Sequence, residues 1–234
     1  MLNLKFKSLA AASLIMLAPN AFAMNLFRDP YLGIAAIQTN QRFETNFGDP
    51  VFKKNPQDYS VFAGFKFTKY FGIEGGYEWQ PSKSKTTVIT AGQSTPGGNI
   101  LPAGAFDTVN SSFKGTLPYV GLFAEYDQKC PWVFCWIKWQ ALVGASFTHF
   151  IGKTQVSAVD GVPFAGRLFY YDKSKAVVLV KLASTGFVTR NLGVRLFVDY
   201  RNTSTVNMQA NFTPGLIKMK DTWGVGLGLL WQFC

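Results

Sequence analysis

The chain has 234 residues, of which 48% are hydrophobic and 16% aromatic, and its formal net charge is +10. This length fits one all-β domain. The excess of Lys and Arg favours contact with an anionic surface, either nucleic acid or phosphorylated lipid, and the export signal described next excludes nucleic acid.

The first 23 residues have the three parts of a secretory signal peptide. Lys5 and Lys7 make a positive amino-terminal region, residues 9–18 are apolar, and "AFA" at 21–23 is a small-x-small cleavage site. A membrane-spanning helix needs about 20 apolar residues, so cleavage is predicted rather than anchoring. We therefore expect the mature domain to cover residues 24–234.

Eight segments of the mature chain alternate apolar with polar or small residues, as strands of an outer-membrane β-barrel do. The last segment, "DTWGVGLGLLWQFC", shows the alternation most clearly, whereas the faces of the first segment cannot be assigned. In chain order the segments cover residues 31–39, 60–69, 71–80, 115–126, 134–150, 176–188, 192–201 and 221–234. The predicted fold class is all-β, an eight-stranded antiparallel up-and-down transmembrane β-barrel.

The connections between these segments alternate in length. "TKY", "DQKCPW" and "TRN" are short, whereas residues 40–59, 81–114, 151–175 and 202–220 form long connections. Short periplasmic turns and long extracellular loops alternate in this way in outer-membrane barrels. The stretch 81–104 is rich in Gly, Pro, Ser and Thr and is expected to be at most locally ordered.

Aromatic residues near the segment ends are predicted to lie at the two membrane–water interfaces, where a half-hydrated ring is favoured. These residues are Tyr77, Trp79, Trp223, Trp231 and Phe233. The glycines between the aromatics of the last segment are expected to point into a narrow interior.

Two segments resemble the OmpA-type outer-membrane β-barrels. "GFKFTKYFGIEGGYEW" (64–79) is similar to the second hairpin of that family, and the last strand resembles the signal that the barrel-assembly machinery recognises, with Cys234 following the aromatic Phe233. The resemblance implies an integral protein of the Gram-negative outer membrane that has the barrel-assembly machinery as a partner. Many relatives continue into a peptidoglycan-binding domain, whose activity is not expected here.

Strand parity predicts a charged barrel interior. Because isolated buried charges are costly, these groups are expected to pair, and eight strands enclose a space that side chains can fill. A filled barrel with little conductance is the main hypothesis, and a porin-like channel is the alternative. The predicted interior charges are Lys66, Glu74, Glu78, Glu125, Lys138, Lys181, Arg195, Asp199 and Arg201.

The single histidine, His149, is the main candidate for acid–base catalysis. Parity places it on the lipid-facing side near the extracellular rim, with Ser146 and Thr148 on the opposite face, so an interfacial role is favoured over catalysis. No catalytic residue, metal site or cofactor is predicted. A lipid A-modifying enzyme is the less favoured alternative.

Cys130 and Cys135 lie in the short connection "KCPWVFC". The oxidising exported setting favours a disulfide between them, but strand geometry can also hold the two sulfurs apart. Cys234 is then either free or part of an intermolecular bridge.

The function predicted from these features is a structural or surface-interaction role, exerted through four long basic loops. Their lysines, among them Lys218 and Lys220, are candidates to contact the phosphates of lipopolysaccharide, although solvated loop charge explains them equally well. A host or cell-surface ligand at the loops is a further possibility. A soluble, secreted β-protein is the remaining alternative for the fold.

Overall fold

The computed structural model describes residues 28–45, 52, 55–93, 95, 100–129, 136–204, 206–209 and 216–233. No helix in these ranges is long and apolar enough to cross a membrane. The long strands are β1 (Arg28–Asn40), β2 (Gln57–Lys66), β3 (Phe71–Thr90), β4 (Phe106–Lys129), β5 (Trp136–Val159), β6 (Leu168–Phe187), β7 (Leu192–Arg201) and β8 (Thr222–Gln232). Four short strands cover Phe43–Thr45, Val162–Pro163, Asn207–Gln209 and Leu216–Met219.

The eight long strands form a closed ring in which each strand pairs antiparallel with its neighbours in sequence. The ring closes between β1 and β8, whose register runs from Tyr31 opposite Gln232 to Asn40 opposite Trp223. Closure satisfies the backbone hydrogen bonds of every strand over its paired length, as a sheet in hydrocarbon requires. The predicted eight-stranded antiparallel up-and-down barrel is confirmed.

Strand β1 alternates as clearly as the others, although the sequence alone does not reveal its faces. Tyr31 and Ile37 are buried inside the barrel, whereas Leu32 and Ile34 are exposed on its outer surface. The alternation is hard to read because small residues, Gly33 and two alanines, separate these side chains.

The inward Gly226 of β8 makes room for an aromatic side chain. A Cβ on Gly226 would lie 2.1 Å from Cζ of Phe197, which is itself 2% exposed. Such an approach excludes any larger residue at this position unless the ring moves. Gly226 therefore allows an aromatic ring to pack within a narrow barrel.

The eight strands differ in length. Strands β3 to β6 have 20, 24, 24 and 20 residues, whereas β1, β2, β7 and β8 have 13, 10, 10 and 11. The predicted loops 81–114 and 151–175 are wrong over most of their length, because residues 81–90, 106–114, 151–159 and 168–175 continue the strands. At the tip of the β5 extension, Asp160 and Gly161 have φ values of 47° and 79°, as a tight type I′ hairpin turn requires.

We call these strand extensions, together with the three-stranded sheet formed by Phe43–Thr45, Asn207–Gln209 and Leu216–Met219, the upper module. The sheet is built from the two connections that join the short strands, β1 to β2 and β7 to β8. Sheet and extensions enclose an apolar core of 14 residues: Phe43, Phe52, Ile89, Val109, Phe113, Leu117, Phe150, Phe169, Tyr171, Val177, Val206, Met208, Ile217 and Met219. The rest of the barrel is called the lower barrel.

The faces of a long strand change polarity where the lower barrel meets the upper module. In the lower part of β4, apolar Val120 and Leu122 point outward, and Glu125 points inward. In its upper part the buried residues are Val109 and Phe113, and the outward residues are Thr108, Asn110, Ser112 and Lys114. The apolar face of β4 thus points outward in the lower barrel and inward in the upper module, where the strand resembles one of a water-soluble sheet.

Candidate functional site

Glu74 on β3 is the centre of a charged network in the lower barrel, and it is fully buried. It accepts hydrogen bonds from the hydroxyls of Tyr31 at 2.6 Å and Tyr119 at 2.8 Å, and from the Arg195 guanidinium at 2.6 Å. The Lys181 ammonium lies 3.6 Å from the same carboxylate. Three strands therefore donate hydrogen bonds to one carboxylate and a fourth supplies an ion pair, as a buried charge requires.

A second ionic group surrounds Arg201 and includes Glu78, which lies four residues further along β3 than Glu74. Its guanidinium pairs with Glu78 and, at 2.9 Å, with Asp199. Lys181 links the two groups, because its ammonium is also 3.8 Å from Glu78. The buried Asp58 carboxylate near this group accepts a hydrogen bond of 2.6 Å from the Thr39 hydroxyl.

A third group spans the mouth of the barrel at the short-turn end. Lys66 contacts Asp29 at 2.5 Å and Glu125 at 3.0 Å, and Lys138 lies 3.6 Å from Glu125. Lys138 also donates to the side-chain oxygen of Gln232 at 2.9 Å. This chain of contacts joins the first strand to the last across the opening.

The structure brings all nine sequence-predicted interior charges into these three groups. Two carboxylates were missed, Asp29 and Asp58, because the predicted strands began two or three residues too late. Extending the parity of the second segment backward would have placed Asp58 with Lys66, whereas the unassigned faces of the first segment gave no such guide for Asp29. The described interior of the lower barrel thus has six acidic and five basic groups rather than four and five.

Apolar packing fills the space around the charged groups. In the lower barrel it consists of Tyr31, Ala35, Ile37, Phe62, Tyr119, Phe123, Leu142, Leu179, Ala183, Phe197 and Leu230. The ammonium of Lys181 lies over the rings of Tyr119 and Phe197, at 4.0 and 4.8 Å from their centroids. A crevice at the short-turn end is lined by the third ionic group and reaches in to Tyr31 and Arg195. The group around Arg201 and then the apolar core of the upper module lie above it.

Large apolar side chains cover the outside of the lower barrel. Among them Leu122, Val143, Leu182 and Leu227 are each about 60% exposed. Such a continuous surface is not tolerated in water by a monomeric protein, but it matches the apolar band of a transmembrane barrel.

The predicted interface aromatics lie at both borders of this band. Trp223 and Trp231 on β8 are eight residues apart, and so are Phe71 and Trp79 on β3. Eight residues at about 3.3 Å each, tilted by about 40°, give a height of roughly 20 Å. Trp79 packs beside Tyr59 and Tyr77 at ring distances of 5.9 and 6.4 Å, which makes an aromatic border on the long-strand side.

His149 points outward at the upper aromatic border, where it pairs in register with Thr116, which in turn pairs with Trp79. Its Nδ1 lies 2.7 Å from the Ser174 hydroxyl and 3.5 Å from the Asp172 carboxylate. The expectation that Ser146 does not meet His149 agrees with its buried position, but the sequence did not reveal that β6 supplies another serine. Both partners approach the same ring nitrogen, whereas a nucleophile–base–acid relay uses both nitrogens.

Several predicted features lie outside the described residues. These are the signal peptide and its cleavage site, and the three cysteines Cys130, Cys135 and Cys234. No group of three His, Cys, Asp or Glu side chains that could hold a metal occurs in the described ranges.

Among the loop cations, Lys83 and Lys85 lie on the inward-facing side of the β3 extension, in register with Phe113 and Ser111. Lys220 forms an exposed ion pair of 2.6 Å with Glu44, and the nearby lysine charge lowers the pKa of Glu44 through this contact. These cations are therefore less available to a lipid than the sequence suggests.

No protein-family model matches the chain, and no curated protein is similar to it in sequence. The outer membrane protein OprG from Pseudomonas aeruginosa has a similar structure, with a TM-score of 0.52 and 8% identity over 88% of this chain and 97% of that chain. Neisserial surface protein A gives 0.48 and 12% over 87% and 97%. Ail of Yersinia pestis, crystallised with a heparin analogue, gives 0.45 and 14% over 88% and 99%.

At such low sequence identities, the structural similarity supports a shared fold alone. OprG is an outer membrane protein, and the chain has the fold of such a barrel. The likeness to OmpA-type barrels that two sequence segments indicate is confirmed as a likeness of fold.

Proposed function

We propose that the chain is an integral protein of the bacterial outer membrane whose filled barrel anchors the upper module at the cell surface. The upper module has a structural or surface-interaction role there. The observation that carries this proposal is the reversal of face polarity along β4, together with the apolar core of the upper module. An apolar outer surface requires lipid around the lower barrel, and a polar outer surface with an apolar core suits water around the upper module.

The filled interior favours an anchor over a porin-like channel. Three ionic groups with apolar side chains packed around them fill the lower barrel, and the apolar core of the upper module lies above them. Eight strands enclose little more space than side chains fill. An aqueous pore instead needs a continuous polar lumen.

The partners that follow from this placement are outer-membrane lipid, lipopolysaccharide and the barrel-assembly machinery, which would act on the strand ending near Phe233. A host or cell-surface ligand would meet the upper module. The export signal with cleavage before Met24 supplies the route. A lipid A-modifying activity is less favoured, because Ser174 and Asp172 compete for one nitrogen of His149.

The decisive experiment combines gel mobility with planar-bilayer recording. Protein folded in detergent should migrate differently before and after boiling, and the same sample should add no stable channels to a bilayer. Equal mobility would argue against the barrel in membranes, whereas changed mobility with large stable channels would favour the porin-like alternative.

A further inference from the structure

Three strands present a compact polar grid on the outer wall just above the upper aromatic border. In register, β4 contributes Thr116, Lys114 and Ser112, which face His149, Ile151 and Lys153 of β5. Strand β6 adds Ser174, Asp172 and Tyr170 opposite the same three β5 residues. Because side chains alternate between faces, all nine residues project to the outside.

Two exposed cations stand close together in this grid. Lys114 pairs with Ile151, and Lys153 pairs with Ser112, so the two lysines are diagonal neighbours on adjacent strands, about 7 to 8 Å apart at their Cβ atoms. The Lys153 ammonium also lies 6.0 Å from the Tyr170 ring centroid. Long side chains at this spacing can converge on one anionic group.

The single acid of the grid is turned toward the imidazole rather than the lysines. Asp172 stands opposite Ile151 in the middle row of the grid, and its carboxylate lies 3.5 Å from Nδ1 of His149. The grid therefore carries a net positive charge with its acid partly occupied, which favours an anion over a cation as ligand.

The position of the grid relative to the membrane border indicates which kind of anion it would contact. Thr116 and His149 share the row of Trp79 at the aromatic border, and Lys114 and Lys153 follow two and four residues above that border. This is the level of lipid headgroups rather than of acyl chains. Strands β1, β2, β7 and β8 end near the border, so only β3 to β6 carry cations on regular strands to this level.

We propose that Lys114 and Lys153 form a binding site for the phosphate of a lipid A-type headgroup in the outer leaflet. The inference rests on the proposed function, because it requires the barrel to be in the outer membrane. It deepens that function by naming the outer wall of β4 and β5, rather than the loop lysines, as the surface that contacts lipopolysaccharide.

The test uses the mature protein in phosphatidylcholine nanodiscs that contain either lipid A or fully dephosphorylated lipid A. The variant K114Q/K153Q is compared with K69Q/R190Q, which loses the same charge at the short-turn rim. Each lysine near an anionic membrane surface contributes about a factor of five in binding. The dissociation constant for lipid A should therefore rise about 20- to 30-fold in K114Q/K153Q and less than twofold in K69Q/R190Q.

Three results separate the possibilities. The expected result includes weak binding of dephosphorylated lipid A that neither variant changes, and K114R/K153R should retain most of the affinity for lipid A. Equal losses in both glutamine variants would mean that net charge alone acts, and unchanged binding in K114Q/K153Q would exclude the site. If a variant or the wild type lacks heat-modifiable mobility, the membrane barrel itself has failed, which is a different result from the loss of lipid A binding alone.

Discussion

The lower barrel and the upper module share four strands but differ in what they enclose. At the level of Glu74 paired carboxylates, a guanidinium and an ammonium lie among apolar side chains, and leucines and valines cover the outside. At the level of Phe113 the enclosed groups are aromatic rings, with Phe150 stacked at 5.4 Å, and the outside carries Ser, Thr, Asn and Lys.

The difference teaches that the surrounding medium, not the strand, decides which face is apolar. Lipid around the lower barrel accepts apolar side chains on the outer surface, so the interior can hold paired charges beside its apolar packing. Water around the upper module restores the usual hydrophobic effect, and the same β4 strand then buries its apolar residues. Substitutions at matched positions in the two regions should therefore have different consequences.

Replacing Glu74 with Gln should have the largest effect. It leaves Arg195 and Lys181 without their shared carboxylate inside the barrel, and breaking a buried pair from one side costs about 3 to 5 kcal/mol. The free energy of unfolding in urea, measured in lipid, should fall by that amount. The control E125Q lies at the open mouth, where water reaches the remaining lysines, and should lose clearly less. Equal losses would mean that the Glu74 network is no more stabilising than the mouth.

The second largest effect on stability is expected from a lysine placed on the outer face of β4 in the lower barrel. Leu122 is 62% exposed in the apolar band, so L122K should destabilise the inserted barrel by about 2 to 4 kcal/mol. The matched change N110K lies on the same face in the upper module, where it should alter stability by less than about 0.5 kcal/mol. Unfolding curves in lipid measure both, and similar costs at the two positions would place the membrane border elsewhere.

The smallest effect is expected from Asp107, a buried acid on the inward face of the upper module. Burial, and next the charge of Asp160, raise its pKa. Because the folded pKa exceeds the unfolded one, ionisation destabilises the module as pH rises above the unfolded pKa of about 3.9. D107N should therefore stabilise the upper module at pH 7 by about 1 kcal/mol, and the gain should vanish near pH 3. Resistance to proteolysis as a function of pH measures this, and a gain that persists at pH 3 would exclude the charge as its cause.

The sequence by itself determined the lower barrel. Alternation with a period of two is a local property, so parity alone separated the lipid-facing residues of seven strands from interior groups such as Glu74, Arg195 and Arg201. It also determined the alternation of short and long connections. Only at β1, where alanines and a glycine replace larger residues, was the local pattern too weak.

Only the tertiary structure decided what lies above the membrane border. Before Thr116 in the sequence of β4, the polarity of the two faces is reversed. A strand predicted from outward apolar residues therefore stops near this position, although β4 extends back to Phe106. Which residues cover the resulting apolar core depends on pairing between distant segments, as when Met208 pairs with Ile217 and Met219 pairs with Phe43. The meeting of His149 with Ser174 depends likewise on the register between β5 and β6, a pairing of separate strands that periodicity within one strand does not specify.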